Sequence, residues 1–187
     1  MIEIILASTS PRRKELMKKV AAKFKIADPK YREHHHKHLK PKELVKFLAL
    51  GKARAAAKKY PRSIIVGADT VVVFRGEVLG KPKNKKDAER MLKKLRGNKH
   101  FLYTGYAVIN TKTGRIISGV EVGKLYFKNY SDKVIADYIA TGKPMDKAGA
   151  YAIQDIGRKL VKKYIGDRST IIGLPVKRIK RAIKKFT

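Results

Sequence analysis

The chain has 187 residues, of which 46 are Lys or Arg and 15 Asp or Glu, giving a formal net charge of +31, and 43% are hydrophobic. That apolar share supports a packed core in spite of the charge, so disorder is not the default, and the length fits one domain or two small lobes. With no cysteine, disulfide frameworks, thiolate zinc fingers and thiol catalysis are excluded.

No apolar run approaches the ~20 residues of a bilayer span, and the opening MIEIILASTS lacks the basic start and apolar stretch of an export signal. The expectation is a soluble cytoplasmic protein with no membrane partner. A charge of +31 attracts phosphate-bearing partners without choosing between nucleotides and nucleic acid. The basic residues are spread along the chain (Lys18, Lys19, Lys58, Lys59, Lys162, Lys163, Lys184, Lys185), which favours a solvated cationic surface over a dedicated nucleic-acid stripe.

In chain order, residues 2–6 form a short apolar strand, and the small residues Ala7 to Ser10 lead to Pro11, with Ser10 as N-cap of a helix to about Val20. Residues 23–42 are polar and His-rich. After Pro41, the recurrence of Val45, Leu48, Ala49, Ala53 and Ala56 predicts a longer helix. Residues 63–74 are a β-branched run typical of a strand buried on both faces, broken by a turn at Arg75-Gly76. Ala88, Met91, Leu92 and Leu95 mark a helix closed by Gly97. A hairpin follows, 100–109 and 115–122 around a turn at 111–114, with Leu125-Tyr126-Phe127 as a further short strand. Ser131 caps a helix stopped by Gly142 and Pro144, residues 147–151 read as a loop, and a basic helix ends near Phe186. Interleaved strands and helices make the class α/β (mixed α+β), and no linker divides residues 1–187, so one domain is expected.

Four features point to chemistry. Strand, small-residue loop, Pro and Arg12-Arg13 at a helix start form an anion site, to which Ser8 and Ser10 add hydroxyls; a capped helix with two solvated arginines is the plain alternative. Asp69 sits inside an apolar strand, where a carboxylate is costly unless paired, so it reads as a metal ligand, a general base, or a structural carboxylate satisfied by a lysine or by backbone amides. Lys52, Lys81 and Lys147 stand beside glycine, alanine or proline and suit a triphosphate in combination, although each taken alone reads as solvent-facing. His34, His35, His36 and His38 read as an adventitious metal-binding loop.

Taken in order, LASTSPRRKEL at 6–16, Glu33, Lys52-Ala53, GADTVV at 67–72, GKP at 80–82 with DAERML at 87–92, His100 with Thr104-Gly105, DKAGAYAIQ at 146–154 and GLP at 173–175 closely resemble the Maf family of nucleoside triphosphate pyrophosphatases. The resemblance implies a fold similar to the inosine triphosphatase architecture, an elongated mixed sheet with flanking helices and two lobes around a cleft. It implies hydrolysis between the α and β phosphates, yielding a monophosphate and pyrophosphate. It gives catalysis to Asp69, Glu33, Lys52 and Lys81, with Asp69 and Glu33 holding a divalent cation (Mg²⁺, Mn²⁺ or Co²⁺), and substrate binding to Ser8, Arg12, Arg13, Thr70, Lys147 and Gln154. Arg12, Thr70 and Gln154 match the family's dTTP/UTP branch; the branch acting on 7-methyl-GTP carries an aromatic residue, Gln and Glu there. A homodimer is implied too.

Three departures stand out: Arg32 precedes Glu33 where an acidic residue is common, Asp155 follows Gln154 where Gly is usual, and Thr170-Ile171-Ile172 replaces an Asn-Val pair. The rival reading is a nucleic-acid-binding or division-regulating protein that uses the basic surface. An aromatic content of 8% without a basic-aromatic RNA-binding motif weakens it.

Overall fold

A computed structural model describes residues 2–31 and 39–186, except for the side chains of residues 157 and 158. Glu33, Arg32 and the His34 to His38 tract lie outside the described residues. The elements run β1 (Glu3–Ala7), α1 (Pro11–Lys18), β2 (Lys25–Ala27), α2 (Pro41–Ala57), β3 (Ser63–Phe74), β4 (Glu77–Leu79), α3 (Lys85–Leu95), β5 (Lys99–Asn110), β6 (Ile116–Phe127), α4 (Asp132–Ala140), α5 (Ile153–Leu160), β7 (Val161–Ile165), α6 (Arg168–Ile172) and α7 (Val176–Lys184). Among the described residues the strands make one seven-stranded mixed sheet in the order β2-β1-β3-β5-β6-β7, with β4 also on β3. The chain divides into two compact units, Met1–Thr70 with Thr104–Glu121 and Gly173–Thr187, and Val71–Tyr103 with Val122–Ile172. The strands β3, β5 and β6 are shared between them.

In the first unit β1 pairs in parallel with both β2 and β3, Ile5 standing opposite Lys25 and Ile65. The helix α2 buries the five residues whose spacing predicts it, Val45, Leu48, Ala49, Ala53 and Ala56. Its backbone meets glycines on the sheet: a Cβ on Gly67 would stand 2.4 Å from the Ala49 carbonyl oxygen, and one on Gly105 2.1 Å from that of Val45. The helix therefore lies closer to β3 and β5 than side chains would permit. Ile5, Ala7, Ile65, Ala107 and Ile109 complete this core. In α7, Ile179 and Ala182 face inward while Lys177, Arg178, Lys180 and Arg181 are exposed.

The second unit has its own core, in which Leu92 and Leu95 of α3, Leu125 and Phe127 of β6, Ile135 and Tyr138 of α4, Tyr151 and Leu160 pack together. Arg75 and Gly76 both adopt positive φ, 48° and 83°, which is the two-residue turn that returns β3 onto β4. Asn84 caps α3 by accepting from the Asp87 amide, and the Ser131 hydroxyl accepts from the Val134 amide at the start of α4.

Several expectations are corrected. Residues 116–127 are one strand of 12 residues, and Leu125-Tyr126-Phe127 is its end. A Cβ on Gly123 would stand 2.5 Å from Ile171 Cγ1, so the glycine makes room for that side chain within the unbroken strand. Ser10 holds the N-cap position of α1 without a side-chain cap bond; its amide instead donates to the Ser8 hydroxyl at 3.3 Å. The short strands β2 and β4, and α5, β7 and α6, had no clear periodicity to announce them. Residues 148–150, inside the segment expected to be a loop, form a 3₁₀ turn, and residues 143–146 form another just before it.

Candidate active site

Asp69 lies near the middle of β3 with the residue only 8% exposed. The close approach of α2 permitted by Gly67 brings Lys52 within reach, and its Nζ donates to Asp69 Oδ1 at 2.5 Å. Both side chains are nearly buried, at 13% and 11% exposure. Of the readings open for Asp69, pairing with a lysine is thus realised, and the lysine is one that the motif pattern itself singled out. Asp69 Oδ2 accepts no hydrogen bond among the described residues.

One residue further, Thr70 exchanges a hydroxyl hydrogen bond of 2.9 Å with Thr104 on β5. Arg13 on α1 reaches the same area: its Nε donates to the Gly173 carbonyl at 3.0 Å and its guanidinium to the Ser8 hydroxyl at 3.4 Å. Gly173 has φ 123°, and a Cβ there would stand 3.2 Å from Thr70 Oγ1 and 3.6 Å from Arg13 Nε. The Gly-Leu-Pro motif is therefore part of how Arg13 and Thr70 are placed. Ser8, Arg12, Arg13, Lys52, Asp69 and Thr70 all belong to the first unit. Thr104 and Gly173 are the functional neighbours that residue type alone leaves unassigned, although both fall in the motif segments.

Lys81, Lys147 and Gln154 belong to the second unit. The Gly149 amide donates to the Gly80 carbonyl at 2.9 Å, which ties the Lys147 turn to the loop that carries Lys81. Gly149 has φ 67° and a Cβ there would stand 3.1 Å from Val72 Cγ2, so a side chain there is doubly disfavoured. Lys81 and Gln154 are exposed. Lys147 is only 7% exposed; its Nζ donates to the Lys143 carbonyl and to Asp146 Oδ1, and lies 3.3 Å from Asp155 Oδ2. The solvent-facing reading holds for Lys81 and fails for Lys52 and Lys147. Asp155, noted only as a departure from the family pattern, proves to be a charge partner of Lys147.

Behind this turn, the fully buried His100 ring meets the Tyr151 hydroxyl at 2.6 Å through Nε2. Burial pushes the His100 pKa down to about 3 and raises that of Tyr151, so both stay neutral at ordinary pH.

Among the described residues no group of three or more His, Asp or Glu side chains is placed to hold a metal ion. A Mg²⁺-like ion on a nucleotide needs only one or two carboxylates, because phosphates and waters supply the other oxygens. Asp69 fits that requirement, with Oδ1 held by Lys52 and Oδ2 left to a further partner. Glu33 lies outside the described residues.

A family model described as Maf-like protein matches residues 3–186. The chain is 46% identical over 185 residues to a dTTP/UTP pyrophosphatase of Dictyoglomus thermophilum, covering 98% of this chain and 96% of that protein. It is 43% identical over 186 residues to a dTTP/UTP pyrophosphatase of Geobacillus sp. (strain WCH70), covering 100% and 99%. Among solved structures, the Staphylococcus aureus Ham1 protein aligns over 99% of this chain and 100% of that one with a TM-score of 0.56 at 15% identity, a likeness of fold alone. A match that runs almost end to end, carried by relatives above 40% identity, supports one conclusion: the chain belongs to the Maf-like protein family.

Proposed function

We propose that this protein hydrolyses dTTP and UTP to the nucleoside monophosphate and pyrophosphate. The names of its relatives support the substrate class, and the observation that carries the chemistry is the Lys52–Asp69 pair, a nearly buried carboxylate anchored at one oxygen. Lys52 orients Asp69, and the Asp69 carboxylate orients or deprotonates the attacking water. As the water oxygen bonds to phosphorus, the α–β phosphoanhydride bond breaks and its electron pair leaves with pyrophosphate. Arg12, Arg13 and Ser8 hold phosphate oxygens, and Lys81 and Lys147 offset charge on the departing group.

Asp69, with Glu33, would hold a divalent cation (Mg²⁺, Mn²⁺ or Co²⁺), which supplies neutralisation of phosphate charge when bound. Arg12, Thr70 and Gln154 form the base-selecting set; an amide both donates and accepts, as a uracil or thymine edge requires. A homodimer belongs to the same proposal and rests on the family resemblance.

The test is pyrophosphate release from dTTP, UTP, CTP, ATP and GTP with each cation, comparing the unmodified chain with Asp69→Asn. Release favouring dTTP and UTP, reduced ~10²–10⁴-fold in a variant with an unchanged circular dichroism spectrum, is expected. No release from any nucleotide would overturn the proposal, and equal release from all five would remove the pyrimidine preference alone.

A further inference from the structure

On β5, Lys99, Phe101 and Tyr103 alternate with the buried His100, Leu102 and Thr104; on β6, Lys124 and Tyr126 alternate with the buried Leu125 and Phe127. The first set in each strand therefore projects from the face of the sheet opposite the second unit's core. Lys163 of β7 pairs directly with Tyr126 and joins that face. The aromatic residues are half-buried, whereas Lys99 and Lys163 are exposed.

Rings and ammonium groups interleave there. Lys163 Nζ lies 4.8 Å from the Tyr126 ring centroid, and Lys124 Nζ lies 5.2 Å from Tyr126 and 5.8 Å from Phe101. The Phe101 and Tyr103 rings are 6.3 Å apart and tilted by 35°. A hydrogen-bonding contact with Lys124, together with the charges of Lys124, Lys163 and Lys99, holds the Tyr126 phenol below its usual range. Among the described residues none of the three lysines is paired with a carboxylate. Acids of the second unit pair with other cations: Glu77 with Lys94, Glu89 with Lys93, Asp132 with Arg96 and Asp137 with Lys133.

We propose that this face, Lys99, Phe101, Tyr103, Lys124, Tyr126 and Lys163, binds single-stranded nucleic acid, its bases stacking on the rings and its phosphates meeting the lysines. Aromatic planes beside unneutralised ammonium groups on an open sheet suit unstacked bases on a polyanion. A duplex hides its base faces and would use only the charge. A second copy of this chain would set lysine against lysine, a like-charge arrangement that disfavours it. The inference is independent of the hydrolase reading.

The experiment is fluorescence anisotropy with a labelled oligothymidylate of ~20 nucleotides and a duplex of equal length, with and without excess dTMP to occupy the nucleotide site. The single strand is expected to bind ~10-fold more tightly than the duplex, and Phe101→Ala and Tyr126→Ala each to weaken it ~5–10-fold while leaving duplex binding and pyrophosphate release unchanged. Tyr126→Leu, which preserves apolar volume, should lose as much as the alanine variant, and Tyr126→Phe should retain binding. Lys163→Ala should lower the salt slope by ~0.7. Equal affinity for strand and duplex, indifferent to the aromatic variants, would overturn the proposal in favour of whole-molecule charge. Loss of binding with dTMP would reassign it to the nucleotide site. A dimer in light scattering that Tyr126→Ala dissociates would give the face to a second copy.

Discussion

At Asp69 a strand that needs apolar residues carries a charge, and Lys52 is the local answer. Removing one partner of a nearly buried pair leaves the other uncompensated, which costs more than the pair itself contributes. Lys52→Met should therefore lower stability by ~1–3 kcal/mol in urea unfolding as well as slow turnover, whereas Asp69→Asn should slow turnover with a smaller stability loss. Retained activity in Lys52→Met would remove Lys52 from the mechanism. At Lys147 the balance is different, because Asp146 and Asp155 both draw on its ammonium. Replacing Asp155 with Asn removes one competitor for the substrate phosphates, so KM for dTTP should fall ~2–5-fold with little change in kcat; a raised KM would show that Asp155 positions the lysine. The residue types at Asp69, Lys52 and Lys147 were legible as a charge pattern. Their pairing was not, since Asp155 shows no special spacing in the chain.

At the scale of elements, α2 and β3 meet through glycine and alanine, and this contact sets the distance from Lys52 to Asp69. A methyl at Gly67 would collide with the Ala49 carbonyl, a backbone group that moves only with its helix. Gly67→Ala should cost ~2 kcal/mol or more of stability and reduce kcat through the displaced Lys52; an unaffected kcat would show that the pair tolerates the shift. The His100–Tyr151 pairing ties β5 to the turn that carries Lys147. Above pH ~6.5 the ring is neutral both folded and unfolded and adds no pH dependence. Below that, the unfolded chain takes up a proton that the folded one refuses until about pH 3. This residue should then remove up to ~1.4 kcal/mol of stability per pH unit on acidification. Urea unfolding at a series of pH values should show a shallower fall in His100→Gln; equal slopes would mean that the ring is protonated in the fold. Long periodic elements such as α2, β3 and α3 were legible because one pattern of burial governs each of them. The short β2, β4, β7 and α6 were not, since three to five residues hold too little periodicity to read.

For the whole molecule, a net charge of +31 opposes compaction, because every lysine repels the others through a field that salt screens over ~10 Å at 0.1 M. Thermal unfolding should accordingly move upward by several degrees between low salt and ~0.5 M NaCl; a fall would show that specific ion pairs outweigh the repulsion. The sequence by itself determined the family and the mixed α/β class, and it singled out the residues proposed to meet phosphate. Motifs encode those directly, as residue types at fixed short spacing. Only the tertiary structure decided that Lys52 answers Asp69, that Asp155 draws on Lys147, that β6 runs unbroken past Gly123, and that Phe101, Tyr126 and Lys163 share one face. These depend on which strands and helices lie side by side, and contact between residues far apart in the chain follows from packing rather than from local pattern.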